Sequence, residues 1–524
     1  MFRFFLFVSL LLTVQASICF TAEPCVADRR PPNILFAISD DQSYPYASAY
    51  GTSGVTTPAF DRIAREGVLF TNAFVPSPGC SPTRAAILTG RYPWQNQHAG
   101  THASSFSNQL TVYPALFEQA GYHVGYTGKG WGPGNYRDGG FTRNPAGREY
   151  TKRLQQAPPG IRATDYAGAF EAFLQDRQSG QPFCFWYGSS EPHRTFGAGI
   201  GLAHGKQLDN AEVPSFLPDV PEVRQDILDY CFEIEWSDQH LARMIDLLEQ
   251  AGELENTLIV ATSDNGMAFP RAKANAFEYG VHVPLAIRWG NRVPSGRVVD
   301  DLVNLVDIMP TFLAAAELQH PGDRPMSGKS LLPILESQAE GTVDPERSVT
   351  YAGRERHSSS RWQNLSYPQR CIRSDKFLYI RNFRPERWPA GAPQKMGVGN
   401  YPQDRSKVGP MHAAYHDIDA SPTLDFLIAS ANHAELGKYL GWAVDLRPAD
   451  ELYQIKQDPG CLHNLADDER YQSIKLKMSK NLEQFLRQTD DPRIVDGGDV
   501  FETYRRYSRI RDFPRPAWVK EASK

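Results

Sequence analysis

Short apolar runs that each end in clustered polar residues constrain this chain most. In "NILFAISDD" the run 34–38 leads into Asp40 and Asp41, and in "ENTLIVATSDNG" the run 258–262 leads into Asp264 and Asn265. Uninterrupted runs of this length suit strands buried on both faces of a parallel sheet. Two further segments behave alike: "YHVGYTGKG" ends in Lys129, and "PFCFWYGSSEPHR" ends in Glu191, His193 and Arg194. Strand and helix patterns alternate along the chain, which predicts an α/β fold, a mostly parallel sheet with helices on both faces. In open sheets of this kind ligands bind beyond the carboxyl ends of the strands. Four strands would therefore deliver carboxylates, an amide, a lysine and a histidine to one edge.

Taken singly these endings are ordinary, since Asp-Asp caps helices and "DNG" forms turns. Together they are costly, because adjacent like charges repel unless a cation neutralises them. The side chains of Asp40, Asp41, Asp264 and Asn265 offer only oxygens. That hard donor set suits calcium or magnesium rather than structural zinc, and calcium's tolerance of irregular coordination favours it over magnesium.

The stretch "PSPGCSPTRAAILTG", residues 76–90, places a cysteine at a helix start. Ser81 is a good N-cap and Pro82 suits the first helical position. The apolar run 85–88 continues the helix, and Gly90 stops it. Cys80 would then lie at a helix N-terminus near Arg84, where a thiol ionises readily. A small buried residue, or half of a disulfide, is the competing reading.

Net charge is −5 over 524 residues and no long basic run occurs, so nucleic acid is not an expected partner. Arg3, an apolar run at 4–14 and the small residues after it read as a secretory signal peptide, residues 1–22, cleaved after Ala16 or Ala22. Neither that run nor any later one is long enough for a membrane span. Export to the periplasm or the outside is expected, or to the lysosome in a eukaryote. The seven cysteines show no metal-type spacing. Six remain once Cys19 leaves with the signal, which permits disulfides without implying a disulfide framework.

"CSPTR" resembles the C-x-P-x-R signature of the type I sulfatases. The resemblance implies an alkaline-phosphatase-like α/β fold and conversion of Cys80 to formylglycine, an aldehyde, by a separate maturation enzyme. It implies that Arg84 holds this residue, and that Asp40, Asp41, Asp264 and Asn265, with the modified residue 80, bind calcium. It assigns Lys129 and Lys273 to the sulfate and His193 to the leaving group. The segments "TSDNGMAFPRAK", "LSYPQRCIRSDKFLYIRNF" and "DASPTLDFL" look most like the heparan N-sulfatase (sulfamidase) branch. One departure stands out: "GKGWGPG" places Trp131 where the family carries a histidine tied to the sulfate-releasing step. His98, His102 and His123 are candidates for that role, and each reads equally well as an ordinary loop histidine.

The chemistry fits these parts. A sulfate monoester is an anion, so attack on it needs positive charge around the sulfate oxygens. A hydrated aldehyde offers one hydroxyl to attack sulfur and a second whose deprotonation expels sulfate, a route a thiol lacks. A histidine suits protonation of the departing oxygen or nitrogen.

From about residue 349 the pattern shifts to shorter strands, Pro- and Gly-rich connections and a closing amphipathic helix. The expected organisation is a catalytic α/β domain at 30–348 and an α+β subdomain at 349–524. "GRERH" opens the second part, and Arg354, Glu355, Arg356, His357, Arg384, Arg387 and Trp388 are candidates for a sugar pocket. Of these, Glu355, His357, Arg387 and Trp388 are favoured, since arginine pairs with sugar anions and an aromatic face stacks on a pyranose. A solvated loop with a packed tryptophan is the alternative. The expected enzyme hydrolyses sulfate esters or sulfamates of a sulfated oligo- or polysaccharide. A phosphonate or phosphodiester hydrolase of the same superfamily, or a glycan-binding relative without catalysis, are the competing functions.

Overall fold

The computed structural model describes residues 1–2, 30–154, 156–322, 324–357, 361–391, 415, 417–507 and 516–519. Most of the expected signal segment, with Cys19 and Cys25, lies outside the described residues. Residues 31–524 form one compact unit.

A nine-stranded sheet carries the fold among the described residues. Its strands are β1 (Asn33–Ser39), β2 (Val68–Phe74), β3 (His123–Gly128), β4 (Arg148–Glu149), β5 (Phe183–Gly188), β6 (Thr257–Ser263), β7 (His282–Arg288), β8 (Arg297–Val299) and β9 (Val303–Asn304). The spatial order is β4-β3-β5-β1-β6-β7-β2-β8, with β9 beside β2. Only β7 runs against its neighbours; every other pairing is parallel.

The central strands are apolar throughout because both faces are covered. Ile34, Phe36 and Ile38 of β1 point into one core, with Leu258 and Val260 of β6 and Trp186 of β5. Leu35 and Ala37, with Ile259 and Phe185, point into the other. The first core is closed by helices Cys80–Thr89, Tyr113–Gln119 and Ile308–Ala315. The second is closed by helices Pro58–Arg65, Tyr166–Asp176 and the long Pro221–Gln250.

Strands β10 (Val349–Arg354), β11 (Gln369–Ser374), β12 (Phe377–Asn382) and β13 (Asp450–Gln454) form a second, antiparallel sheet. Helix Gln472–Gln488 buries Met478, Leu482 and Leu486 against its Ile372, Tyr379 and Leu452. On its other face Ala352, Cys371, Leu378 and Ile380 join the core of the large sheet. Cys80, Cys184, Cys231, Cys371 and Cys461 are free, buried thiols. No helix among the described residues is long and apolar enough to cross a membrane.

Candidate active site

Strand register assembles the site. Ile38 of β1 pairs with Gly188 of β5 and Thr262 of β6, and Gly128 of β3 pairs with Gly188. The residues that follow, Asp40, Lys129 and Asp264, therefore leave the sheet side by side. Asp40, Asp41, Asp264 and Asn265 are all buried there.

Helix Cys80–Thr89 enters this edge with all ten residues buried. It begins two residues earlier than the sequence suggests: Gly79 is the N-cap, in extended backbone without a side-chain cap, and Ser81 and Pro82 lie inside the first turn. Thr83 ties the turn down through its hydroxyl to the Ser77 carbonyl at 2.7 Å. Gly90 ends the helix in the left-handed region at φ 63°, as a glycine does without strain. The Cys80 thiol is not readily ionised, contrary to the expectation from its helix position. Burial pushes it up to about 11, although Lys129 pulls the other way. Loss of solvation outweighs the partial charge of a helix end.

Arg84 anchors the ends of two strands, β6 and β3, at once. Its Nε donates to Asp264 Oδ2 at 2.6 Å, and its Nη1 donates to the carbonyls of Lys129 at 2.5 Å and Gly130 at 3.2 Å. Lys129 Nζ reaches Asp40 Oδ2 at 2.5 Å. Lys273 Nζ reaches Asp41 Oδ2 at 2.6 Å and Asp419 Oδ2 at 2.9 Å. Asp41 sits at φ 74°, a strained setting for a non-glycine residue. It is held there by Asn265 Nδ2 on Oδ1 at 2.7 Å and by Tyr230 on its carbonyl at 3.2 Å. His193 Nε2 lies 3.9 Å from Asp41 Oδ2, with Nδ1 held 2.7 Å from the Arg194 carbonyl.

The donor set fits a hard divalent ion. Ligand atoms of Asp40, Cys80 and Asp264 lie within 4.8 Å of one another. Asp40 Oδ1 and Asn265 Oδ1 are buried acceptors without a hydrogen-bond partner. Such orphans are expensive unless a cation takes them. Four carboxylates (Asp40, Asp41, Asp264, Asp419) face three fixed cations (Arg84, Lys129, Lys273). A divalent ion would reverse that net negative sign, as an anionic substrate requires.

The family described as "Sulfatase" matches residues 32–318, a segment that holds every one of these residues except Asp419. The chain belongs to the sulfatase family. The family described as "N-sulphoglucosamine sulphohydrolase, C-terminal" matches residues 272–384. This sulfatase is 28% identical to human N-sulphoglucosamine sulphohydrolase over 518 residues, covering 90% of this chain and 93% of that one. It is 26% identical to an ulvan-active sulfatase of Formosa agariphila, over 88% of this chain and 81% of that one. Its fold matches a protein solved with its substrate, D-glucosamine-2-N,6-O-disulfate, at a TM-score of 0.61 and 20% identity, covering 88% and 99% of the two chains. It also matches a 2-O GAG sulfatase at a TM-score of 0.61 and 16% identity, over 94% and 99%.

Trp131 in this sulfatase is a structural residue. Its indole N–H donates to the Ser81 carbonyl at 3.1 Å, and its ring packs on Phe106, so it braces the first turn of the Cys80 helix. Of the three histidines considered in its place, His123 stands at the start of β3, the end opposite Lys129, stacked on Phe173. His98 stacks on Tyr504. His102 alone approaches the site: its ring lies 4.6 Å from that of His357, and His357 Nδ1 is 3.6 Å from where a Cβ on Gly79 would stand. Both rings carry a buried Nδ1 without a partner. Burial drives both pKa values down, that of His357 to about 3.

Of the remaining sugar-pocket candidates, Glu355 and Arg387 sit otherwise than expected. Both Glu355 oxygens are bound, one to Arg370 at 2.7 Å and one to Arg493 at 2.6 Å. Arg387 pairs with Glu502 at 2.8 Å and with the Ser366 carbonyl at 2.9 Å. These groups knit the C-terminal region together rather than line an open pocket, because charges buried beside the small sheet must be paired. Trp388 offers its carbonyl to Arg361, and Arg356 donates to the Tyr504 carbonyl at 2.8 Å. Arg354 lies 3.6 Å from Asp417, and Arg384 reaches Asp499 at 3.8 Å. Glu191 likewise serves the fold, accepting from Tyr166 at 2.8 Å. Asp419 was not singled out from sequence. Only its place in "DASPTLDFL", a segment already noted for its resemblance, marked it.

Proposed function

We propose that this sulfatase is an exported enzyme that releases sulfate, as ester or sulfamate, from a sulfated glycan. The observation that carries the reading is the meeting of Cys80, Asp40 and Asp264 within 4.8 Å, beside two buried acceptors left without partners. Asp40, Asp41, Asp264 and Asn265, with residue 80, would hold calcium, which supplies positive charge to the sulfate oxygens. Conversion of Cys80 to formylglycine supplies the attacking hydroxyl that a thiol protonated up to about pH 11 does not. Lys129 and Lys273 each keep ammonium hydrogens beyond those on Asp40 and Asp41, and these orient the sulfate. Arg84 fixes Asp264 and the Lys129 backbone relative to the nucleophile. His193 faces the same cluster and protonates the departing atom. His102 and His357 form the wall beside Gly79, where neutral imidazoles serve proton transfer during sulfate release. The human relative, an N-sulphoglucosamine sulphohydrolase, and the substrate of the solved neighbour favour an N- or O-sulfated amino sugar.

The test is sulfate release from a panel of defined sulfated oligosaccharides, run beside an aryl sulfate and an aryl phosphodiester. The protein is produced with a formylglycine-generating maturation enzyme. Glycan desulfation supports the reading. Turnover of the phosphodiester alone, or glycan binding without release when residue 80 is verified as formylglycine, replaces it with one of the competing functions.

A further inference from the structure

Asp419 has no task in the reaction proposed above. It reaches the site from 146 residues beyond Lys273 in sequence, and its Oδ2 accepts from Lys273 Nζ at 2.9 Å. Ligand atoms of Asp41, His193 and Asp419 lie within 4.8 Å of one another. The Asp419 side chain keeps 29% of its exposure where Lys273 keeps 5%. It is therefore the more exposed partner of that pair, on the side of His193. Its ion pair with the Lys273 ammonium marks it as a carboxylate anion. A fixed anion here opposes an incoming sulfate, so its presence calls for a compensating donor on the substrate.

The two classes of substrate differ in that respect. The bridging oxygen of a sulfate ester carries no hydrogen and turns only lone pairs toward a carboxylate. The nitrogen of a sulfamate carries one N–H. As a hydroxyl of the hydrated aldehyde at residue 80 bonds to sulfur, the S–N bond breaks, its electron pair stays on nitrogen, and that nitrogen takes a proton from the His193 side. Loss of the proton from the second hydroxyl then expels sulfate, and water rehydrates the aldehyde. The amine then gains a further proton in water and leaves as ammonium, a cation that pairs with a carboxylate.

Resting on the sulfatase reading above, we infer that Asp419 is a specificity-determining residue that accepts a hydrogen bond from the leaving nitrogen. It selects N-sulfated amino sugars over O-sulfated ones at the scissile position.

The test compares wild type, Asp419→Asn and Asp419→Ala, each with residue 80 verified as formylglycine and thermal unfolding measured to confirm a folded protein. Substrates are N-sulfoglucosamine, glucose 2-O-sulfate and an aryl sulfate. The expected result is a fall of about 10- to 100-fold in the ratio of kcat/KM for N-sulfoglucosamine to that for either ester, the size of a lost charge-assisted hydrogen bond. In the Cys80→Ala protein, where no turnover intervenes, Asp419→Asn should weaken glucosamine binding more than glucose binding. An unchanged ratio overturns the inference and leaves Asp419 as a support for Lys273. Wild type that desulfates the esters but not N-sulfoglucosamine also overturns it, with the sulfatase reading intact. No sulfate from any of the three substrates would sink both.

Discussion

Arg84 Nε and Asp264 Oδ2 meet at 2.6 Å with both side chains shut off from solvent. The pair links the Cys80 helix to the end of β6, so the charge on that helix also anchors a metal-ligand candidate. Arg84→Ala would leave Asp264 buried and uncompensated, at a cost of about 3–5 kcal/mol. Urea unfolding should show that loss most fully in chelator, and excess calcium should restore part of it, because a second cation can take over the carboxylate. Equal destabilisation with and without calcium would place the ion elsewhere.

The modification prediction is read by mass. Produced with a maturation enzyme, the peptide containing "GCSPTR" should be lighter by the difference between cysteine and formylglycine. Cys80→Ala, at a buried helix start where alanine fits, should keep the fold and reduce sulfate release to background. Full activity in that variant would remove the proposed mechanism.

Chelation should abolish activity, and calcium should restore it better than zinc, since the side-chain donors at Asp40, Asp41, Asp264 and Asn265 are oxygens. Calorimetric titration of the chelated protein should show calcium binding that Asp264→Asn weakens. Zinc rescue superior to calcium would contradict the assignment.

A fourth prediction concerns the fold. Glu233, on the long helix Pro221–Gln250, has Oε1 buried without a partner, and burial together with Glu191 and Asp229 pushes its carboxyl up to about 9. The unfolded chain ionises this group near the ordinary glutamate value, so its contribution is complete in acid and drains away as pH rises toward 9. Glu233→Gln should therefore gain on wild type by about 1–3 kcal/mol at pH 8 and little at pH 4. Unfolding midpoints at the two pH values measure it, and a gain of equal size at both would point to packing instead.

Much of the site was legible in sequence because its residues follow strands directly. Once 34–38 and 258–262 read as neighbouring buried strands, Asp40 and Asp264 had to emerge together, and β1 pairs with β6 from end to end. The helix start was less legible. Ser81 and Pro82 carry good local signals, yet Gly79 caps, since the register of a ten-residue buried helix is set by packing rather than by capping preference. Glu355 and Arg387 failed as open sugar contacts for a related reason: sequence does not tell a solvated charge from one paired within the fold.

The sequence by itself determined the alternation of strands and helices, the polar ends of four strands, the "CSPTR" motif and the family, because those signals lie within short windows. Only the tertiary structure decided that Trp131 braces Ser81, that His102 lies beside His357 next to Gly79, and that Asp419 joins Lys273 from 146 residues away. It also decided that the Cys80 thiol is buried too deeply to ionise easily. Those facts depend on which distant segments the cores bring together, and on how much water is removed from between them.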